Sequence, residues 1–438
     1  MERKDKKPFD LLSGRIRGDM LRGYSTALEG WRRGLNLQIK VDYSAGQDEG
    51  VEYILDDGET SHHFKGSRGD FVSQEAVDIC SDKETLRGYL HGADVKIPDG
   101  KSFDEGDTVE GIWEYVKKAG YPFAVKKVDG SLFKDIHNDE DMKQAIESFQ
   151  DKMEGHKMIV ERSYKEGGRH LYVVGESVFN ITDDPSDEET EKLALKAVKS
   201  IPGLSQGSVR INADEDSGEN VVLDVRPDAY IKKHEGLSDD AARDVPSAII
   251  DYYFPETKEY NREMAARLYF DFDHVYTSSK RGKSGYMEIP KIPDDIGLTR
   301  FILMADRFPK SFLGWIQSTA VKHGVSGTAR RLSSRKISLV LGGNRGDINA
   351  FTILLRKKCR RFKHTVKFTR KKRITPVMQG FNVIQDTVAE SMEVKSMQKK
   401  NKRLKKEMAA LKKAQSSPSG GNYKKFTRRL TDMRKKDK

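Results

Sequence analysis

Lys126 lies near the end of a run, Tyr121-Pro122-Phe123-Ala124-Val125-Lys126-Lys127-Val128-Asp129-Gly130, that reads as a buried strand closing on a lysine and a turn. A Gly-rich loop after such a strand grips polyphosphate, because glycine lets backbone N–H groups crowd around phosphate oxygens. Here Ser131-Leu132-Phe133-Lys134-Asp135-Ile136 follows, so the lysine is present and the loop is not. Taken alone, Lys126 reads equally as a surface lysine at a strand end. A second set of residues suits phosphate for another reason. Arg360-Arg361-Phe362-Lys363-His364 and Lys367-Phe368-Thr369-Arg370-Lys371-Lys372-Arg373 interleave aromatic rings with positive charge. That pattern fits phosphate contacts with some base stacking. The same run also reads as a solvated basic strand. No DNA-reading motif accompanies it, so nucleic acid bound there is expected to be held with little sequence preference.

Charge and composition bound the remaining chemistry. The chain has 438 residues, 36% hydrophobic, with net charge +11 and mean hydropathy −0.71. From Arg356 onward there are 28 Lys+Arg against 6 Asp+Glu, a charge of +22, so the preceding residues carry −11. A mildly acidic body with a strongly basic end points to a polyanionic partner. Cys80 and Cys359 are the two cysteines, far apart and without metal-ligand spacing. A disulfide framework is excluded and a reducing compartment is expected. No apolar run approaches the ~20 residues of a membrane helix, and MERKDKKPFD lacks the apolar core of a signal peptide. No membrane partner is expected. The location expected is cytoplasmic, or synthesis there followed by assembly into a larger particle.

The elements that must position these groups follow from periodicity. Leu35–Val41 alternates as a strand, and Asp56-Asp57-Gly58 turns the chain into a second strand around His62–Phe64. A helix is expected to start at Ser81, with Ser81 as N-cap and Glu84 completing a capping box. Helices are predicted over Val109–Ala119, Glu140–Phe149 and Lys192–Ser200. Strands are predicted over Phe123–Lys127, Lys157–Glu161 and Leu171–Phe179, with Ser208–Ile211 and Val221–Val225 paired across a turn at Gly218. Residues 256–297 read as a less patterned connector. Residues 299–357 read as strand, helix (Phe312–His323), strand, strand, helix (Ile348–Lys358).

The succession from Ser81 to Pro255 resembles the ATP-grasp fold, most closely the amino-acid ligase branch that includes cyanophycin synthetase-like proteins. The residues that carry it are Ser81-Asp82-Lys83, Ala93-Asp94-Val95-Lys96-Ile97-Pro98-Asp99-Gly100 and Gly120-Tyr121-Pro122-Phe123-Ala124-Val125-Lys126. Ile159-Val160-Glu161 is similar to the strand that holds the adenine, and Leu223-Asp224-Val225-Arg226-Pro227, with His234 downstream, to the metal-binding strand. Phe71–Ala76 fits the same family. The resemblance implies ATP as nucleotide and Mg²⁺ with it. It makes Lys83 and Lys126 the lysines that reach the phosphates, and Glu161 a third nucleotide-binding residue. It makes Asp224 a metal ligand, but the second ligand position on that strand is Arg226. Ser208-Val209-Arg210 stands where another ligand carboxylate is expected. Arginine has donors and no lone pair to offer a metal. Arg210 and Arg226 instead suit compensation of phosphate charge. Thr182-Asp183-Asp184-Pro185 occupies the region where a substrate-facing arginine is common.

Residues 299–357 resemble an acylphosphatase-like unit through Phe312-Leu313-Gly314-Trp315, Ala320, Gly324-Val325-Ser326-Gly327 and Ile337–Gly343. In that family an arginine cradles the acyl phosphate and an asparagine positions water; those positions here are Leu313 and Arg331. Beyond Gln385 the spacing of Val394, Met397, Asn401, Leu404, Met408 and Leu411 allows self-association through 394–411 as a short coiled coil, or a basic amphipathic helix, within a helix predicted over 384–414. The fold class expected is therefore α/β and α+β: an N-terminal α/β domain (1–78), an ATP-grasp-like body (79–256), a connector (257–298), a small ferredoxin-like, acylphosphatase-like α+β domain (299–357) and a basic helical tail (358–438). The function expected is a non-catalytic, ATP-grasp-derived binding or assembly protein that keeps a nucleotide and meets a polyanion through its tail. The alternative is an active, divergent ATP-dependent carboxylate–amine ligase working through an acyl-phosphate.

Overall fold

The computed structural model describes residues 19–41, 51–104, 107–127, 132–152, 157–164, 167–181, 186–214, 217–228, 245–270, 285–362, 365–371 and 375–385. Two compact units are distinguished: Met1–Leu298 with Gly342–Ile348 and Arg373–Gln379, and Thr299–Leu341 with Asn349–Lys372 and Gly380–Lys438. Among the described residues no helix is long and apolar enough to cross a membrane.

The first unit opens with α1 (Asp19–Arg32), β1 (Asn36–Val41), β2 (Glu52–Asp56), β3 (Ser61–Lys65), β4 (Arg68–Gly69), α2 (Gln74–Ser81) and α3 (Lys83–Gly92). It continues with β5 (Gly100–Phe103), α4 (Val109–Ala119), β6 (Phe123–Lys127), β7 (Leu132–Ile136), α5 (Asp139–Lys152) and β8 (Met158–Arg162). Next come β9 (Arg169–Val174), β10 (Ser177–Asn180), α6 (Glu188–Lys199), β11 (Gln206–Ala213), β12 (Asn220–Arg226), α7 (Val245–Tyr253), α8 (Arg262–Ala265), β13 (Leu268–Tyr269) and β14 (Gly285–Ile289). Three larger sheets result among the described residues, with strand orders β14-β1-β2-β3-β4, β5-β8-β6-β7 and β10-β9-β11-β12.

Two of these sheets position the candidate site. In the β5–β8 sheet, Phe123, Val125, Met158 and Val160 join Ile112 and Val116 of α4 and Met142 and Ile146 of α5 in one apolar core. Side chains alternate along strands, so Ala124, Lys126, Ile159 and Glu161 fall on the opposite face. In the β9–β12 sheet, Leu171, Val173, Val209, Ile211, Val222 and Val225 pack with residues of α2, α3 and α6. Its other face carries His170, Tyr172, Ser208, Arg210, Asp224 and Arg226.

The α4 bounds and β6 agree with expectation. Thr108 caps α4 by accepting from Gly111 N. The helix expected at Ser81 is instead two helices. Ser73 caps the first, accepting from Ala76 N, and Asp82 caps the second, accepting from Thr85 N at 2.7 Å. Ser81 ends α2, its hydroxyl donating to Val77 O. Leu171–Phe179 is not one strand, because Gly175, at φ +55°, turns β9 into β10. Residues 285–289, read as connector, pair antiparallel with β1 as β14.

The second unit holds most of β15 (Ile296–Met304), α9 (Phe312–Lys322), β16 (Ser326–Ser333), most of β17 (Lys336–Asn344) and of α10 (Arg345–Arg360), β18 (Lys367–Lys371) and, after β19 (Val377–Met378), β20 (Phe381–Gln385); the first or last few residues of β15, β17 and α10 belong to the first unit. The short β19 pairs with β13 of the first unit's own residues. The sheet order is β18-β15-β17-β16-β20, with β18 antiparallel to β15 and β20 parallel to β16. The boundary expected at 357 therefore falls inside a helix of this unit, and two strands follow it. Ile384 and Gln385, expected to begin a helix, end β20; residues 386–438, including 394–411, lie outside the described residues.

Candidate functional site

Lys83 is the first residue of α3 and is 4% exposed. Its Nζ donates to the Leu223 carbonyl at 2.5 Å. The acceptor is explained by the β11–β12 register, in which Arg210 faces Asp224 and Ile211 faces Val222. Leu223 is thus the extra residue of a bulge and stands outside the ladder. Burial lowers the Lys83 pKa, against the attraction of Glu161 and Asp224; Lys126 and Arg87 lower it further. One lysine therefore feels carboxylates from both sheets.

Arg87 lies one turn further along the same face of α3, the four-residue spacing that makes helix neighbours. It donates to Glu161 Oε2 at 3.1 Å and to the Gly100 carbonyl at 3.2 Å. Lys126 donates to the other oxygen, Glu161 Oε1. Glu161 is 1% exposed and sits in β8 between Gly100 of β5 and Ala124 of β6. The glycine is required there: a Cβ on residue 100 would lie 2.6 Å from Glu161 Cβ and 2.9 Å from its Cα. A buried carboxylate is tolerated when it is paired and hydrogen-bonded, and two cations meet that condition. Glu161 is accordingly a buried strand residue.

On the facing strands Arg226 Nε donates to Asp224 Oδ2 at 2.8 Å. Arg210 stands directly across β12 from Asp224 and across β9 from His170. Its Nε is buried and has no hydrogen-bond partner among the described residues. Cys80 is no nucleophile here: burial, then Asp224 and Asp228, push its thiol up to about 12. At the β8 end Tyr164 Oη donates to Asp214 Oδ2 at 3.2 Å, linking the two sheets a second time. Asp214 also accepts from Ser217 N and Oγ, which holds its carboxyl down at about 2.

The structure thus brings Lys83, Lys126 and Glu161 together, and Asp224, Arg210 and Arg226 together, with Lys83 between the two sets. Arg87 was missed by sequence reading; its four-residue offset from Lys83 in a helix was the available signal. The oxygen donors do not fit a magnesium pair. Mg²⁺ takes carboxylate, carbonyl or water oxygens in near-octahedral geometry. Glu161 is held by two cations, and Asp224 lies beside one arginine and opposite another. Among the described residues no group of three or more His, Cys, Asp or Glu could hold a metal ion. The turn at Asp129–Ser131, Thr182–Pro185 and His234 lie outside the described residues. Two hollows lie apart from the cation cluster. One of 230 Å³ is lined by His63, Arg68 and Gln74; an open depression of 460 Å³ on α3 is lined by Thr85, Tyr89 and Ser200.

In the second unit the described residues of the basic run lie on more than one face. Lys367 and Lys371 stand opposite Met304 and Arg300 across the strand pair. Arg370 points to the other face and donates to Thr299 Oγ1 at 3.2 Å. Arg360 and Arg361 are exposed at and just beyond the end of α10, and Lys363, Lys372 and Arg373 lie outside the described residues. Leu313 is 1% exposed in the α9 core, and Arg331 lies on β16.

No family model and no curated protein matches the chain. Solved structures that resemble it include ATP-grasp proteins. The D-alanine–D-alanine ligase of Bacillus anthracis is 14% identical, with 43% of this chain and 71% of that one covered and a TM-score of 0.34. The RimK-domain ATP-grasp protein of Sphaerobacter thermophilus is 18% identical, covering 41% and 70%, TM-score 0.33. The ATP-grasp ligase PsnB, solved with minimal precursor, Mg and ADP, is 18% identical over 43% of this chain and 62% of its own, with a TM-score of 0.35.

Proposed function

We propose that the chain is an ATP-grasp-derived nucleotide-binding protein that holds a polyphosphate without ligating, and serves as a binding or assembly protein. The observation that carries this reading is the Arg226–Asp224 bond at 2.8 Å, with Arg210 across the ladder from the same carboxylate. One guanidinium is bonded to the carboxylate that a catalytic metal would need, and a second arginine stands on the neighbouring strand. Lys83 and Lys126 neutralise phosphate oxygens, Arg87 adds a two-pronged donor, and Glu161 holds Arg87 and Lys126 in place until a phosphate arrives. Magnesium, when bound beside a triphosphate, supplies Lewis-acid activation; these residues do not offer it a seat.

The second unit supports a ferredoxin-like reading. Its β-α-β-β-α-β order places the fourth strand beside the first. With leucine at 313, the acylphosphatase-like resemblance carries no phosphate-cradling group, which favours a binding role. Its cations, with those of the C-terminal run, form the proposed contact to nucleic acid or another polyanion.

Phosphate release from ATP is measured with a panel of amino acids and Mg²⁺, beside Lys126→Ala. The expected result is ATP binding that Lys126→Ala weakens, with no substrate-dependent turnover. Turnover that depends on an amino acid and disappears in Lys126→Ala overturns the non-catalytic reading and installs the ligase. The survival of Lys83, Lys126 and Glu161 as one cluster is what favours that second reading.

A further inference from the structure

We infer that this site takes its polyphosphate as the metal-free anion, so that Mg²⁺ competes with the protein for the nucleotide. The inference rests on the nucleotide-binding reading above and goes beyond it by naming the charge state of the ligand. Its first support is the state of the carboxylates. Glu161 accepts from Arg87 and Lys126, and Asp224 accepts from Arg226. Both acids are already bonded to cations, and the cations that hold them are donors without a lone pair for a metal.

The second support is the state of individual donors. Arg210 Nε is buried and unpartnered among the described residues, a donor in want of an acceptor. Arg226 keeps a side-chain exposure of 66% while bonded to Asp224. It can turn to a phosphate oxygen without leaving its carboxylate. Among the described residues Lys83 donates to a neutral carbonyl, that of Leu223. Arg210 stands across the ladder from Asp224 and Arg226 is bonded to it, so a divalent ion brought to that carboxylate meets like charge. Asp224 is the one acidic group on this face of β11 and β12, and a single, arginine-bonded carboxylate does not offset that.

The test uses the full chain and ATP itself, by equilibrium dialysis at constant ionic strength. One buffer contains EDTA; another contains Mg²⁺ set so that one tenth of the ATP remains metal-free. Only the free fraction is competent, so the apparent Kd for total ATP rises about tenfold in the second buffer. Arg226→Asn supplies an oxygen beside Asp224 and removes a cation; its Mg²⁺ response shrinks below threefold or reverses. Lys126→Ala weakens binding in EDTA by tenfold or more. Equal or tighter binding of ATP with Mg²⁺ overturns the inference while leaving the nucleotide reading standing. Absence of ATP binding in both buffers overturns the nucleotide reading, and the inference with it. Full binding by Lys126→Ala in EDTA assigns the ATP to the basic C-terminal run and also overturns the inference.

Discussion

Glu161→Gln keeps the size of the side chain and removes its charge, which isolates what the buried carboxylate does. In the wild type the 1% exposed carboxylate accepts from Arg87 at 3.1 Å and from Lys126. Hydrogen bonds to charged groups contribute about 1.5–3 kcal/mol each. Losing the charge from two of them removes about 3–6 kcal/mol before compensation. Lys126 and Arg87 keep side-chain exposures of 18% and 14%, so water recovers part of their solvation. The net loss expected is about 2–4 kcal/mol, at or below the range for stranding one partner of a fully buried pair. At about 2–4 °C per kcal/mol in a unit of this size, Tm falls by roughly 4–16 °C. Urea and thermal unfolding of the full chain read this out. Metal-free ATP restores negative charge beside the two stranded cations, so it should raise the Tm of the variant more than that of the wild type. A stability loss below about 0.5 kcal/mol, with an equal ATP response in both proteins, refutes the view that Glu161 holds the cations in readiness.

Lys83→Met should fold, since burial already disfavours the charge it removes, while ATP binding falls at least tenfold; equilibrium dialysis checks this. The Lys83 pKa is lowered in the fold, so the unfolded chain binds more protons between that value and 10.5. Wild-type stability therefore rises with pH through that window and the rise is smaller in Lys83→Met, which urea titrations at several pH values measure. Ser217→Ala removes a donor from Asp214, whose folded carboxyl titrates at about 2. The stability it lends is present above the unfolded carboxylate pKa and lost as pH falls toward 2, so the acid-unfolding midpoint of Ser217→Ala moves to higher pH. Gly100→Ala pushes a methyl against the Glu161 backbone and costs about 1–3 kcal/mol, read by urea unfolding. Lys367→Glu with Lys371→Glu should lower nucleic-acid affinity and flatten its dependence on salt; an unchanged salt slope removes these residues from the contact.

Sequence legibility followed the range of the forces involved. Helix α4 and strand β6 were readable because cap, periodicity and turn all lie within a few residues. The α2–α3 break was not, because Asp82 and Ser81 are both good caps and only the fold shows which accepts an amide. Strand β14 was missed because its pairing partner, β1, lies some 250 residues earlier, and its own alternation is short. Strand β18 was read as tail because an edge strand exposed to water has the composition of a solvated run. In the site, Lys83, Lys126 and Glu161 were legible as types, and their family resemblance put them in one place. The burial of Glu161 was not legible, since it depends on cations from two other elements. Arg87 needed only the register of its helix.

Helix α3 touches both sheets that bear the site, through Lys83 to the β12 bulge and through Arg87 to β8. Those anchors are one helical turn apart on a single rigid rod. The sheets therefore cannot spread independently of the helix: separating them breaks either the Leu223 anchor or the Glu161 anchor. A phosphate that draws Lys83 and Arg87 toward itself pulls on both anchors at once. Occupancy of the site therefore bears on one helix, whose outer residues Thr85, Gly88 and Gly92 are exposed.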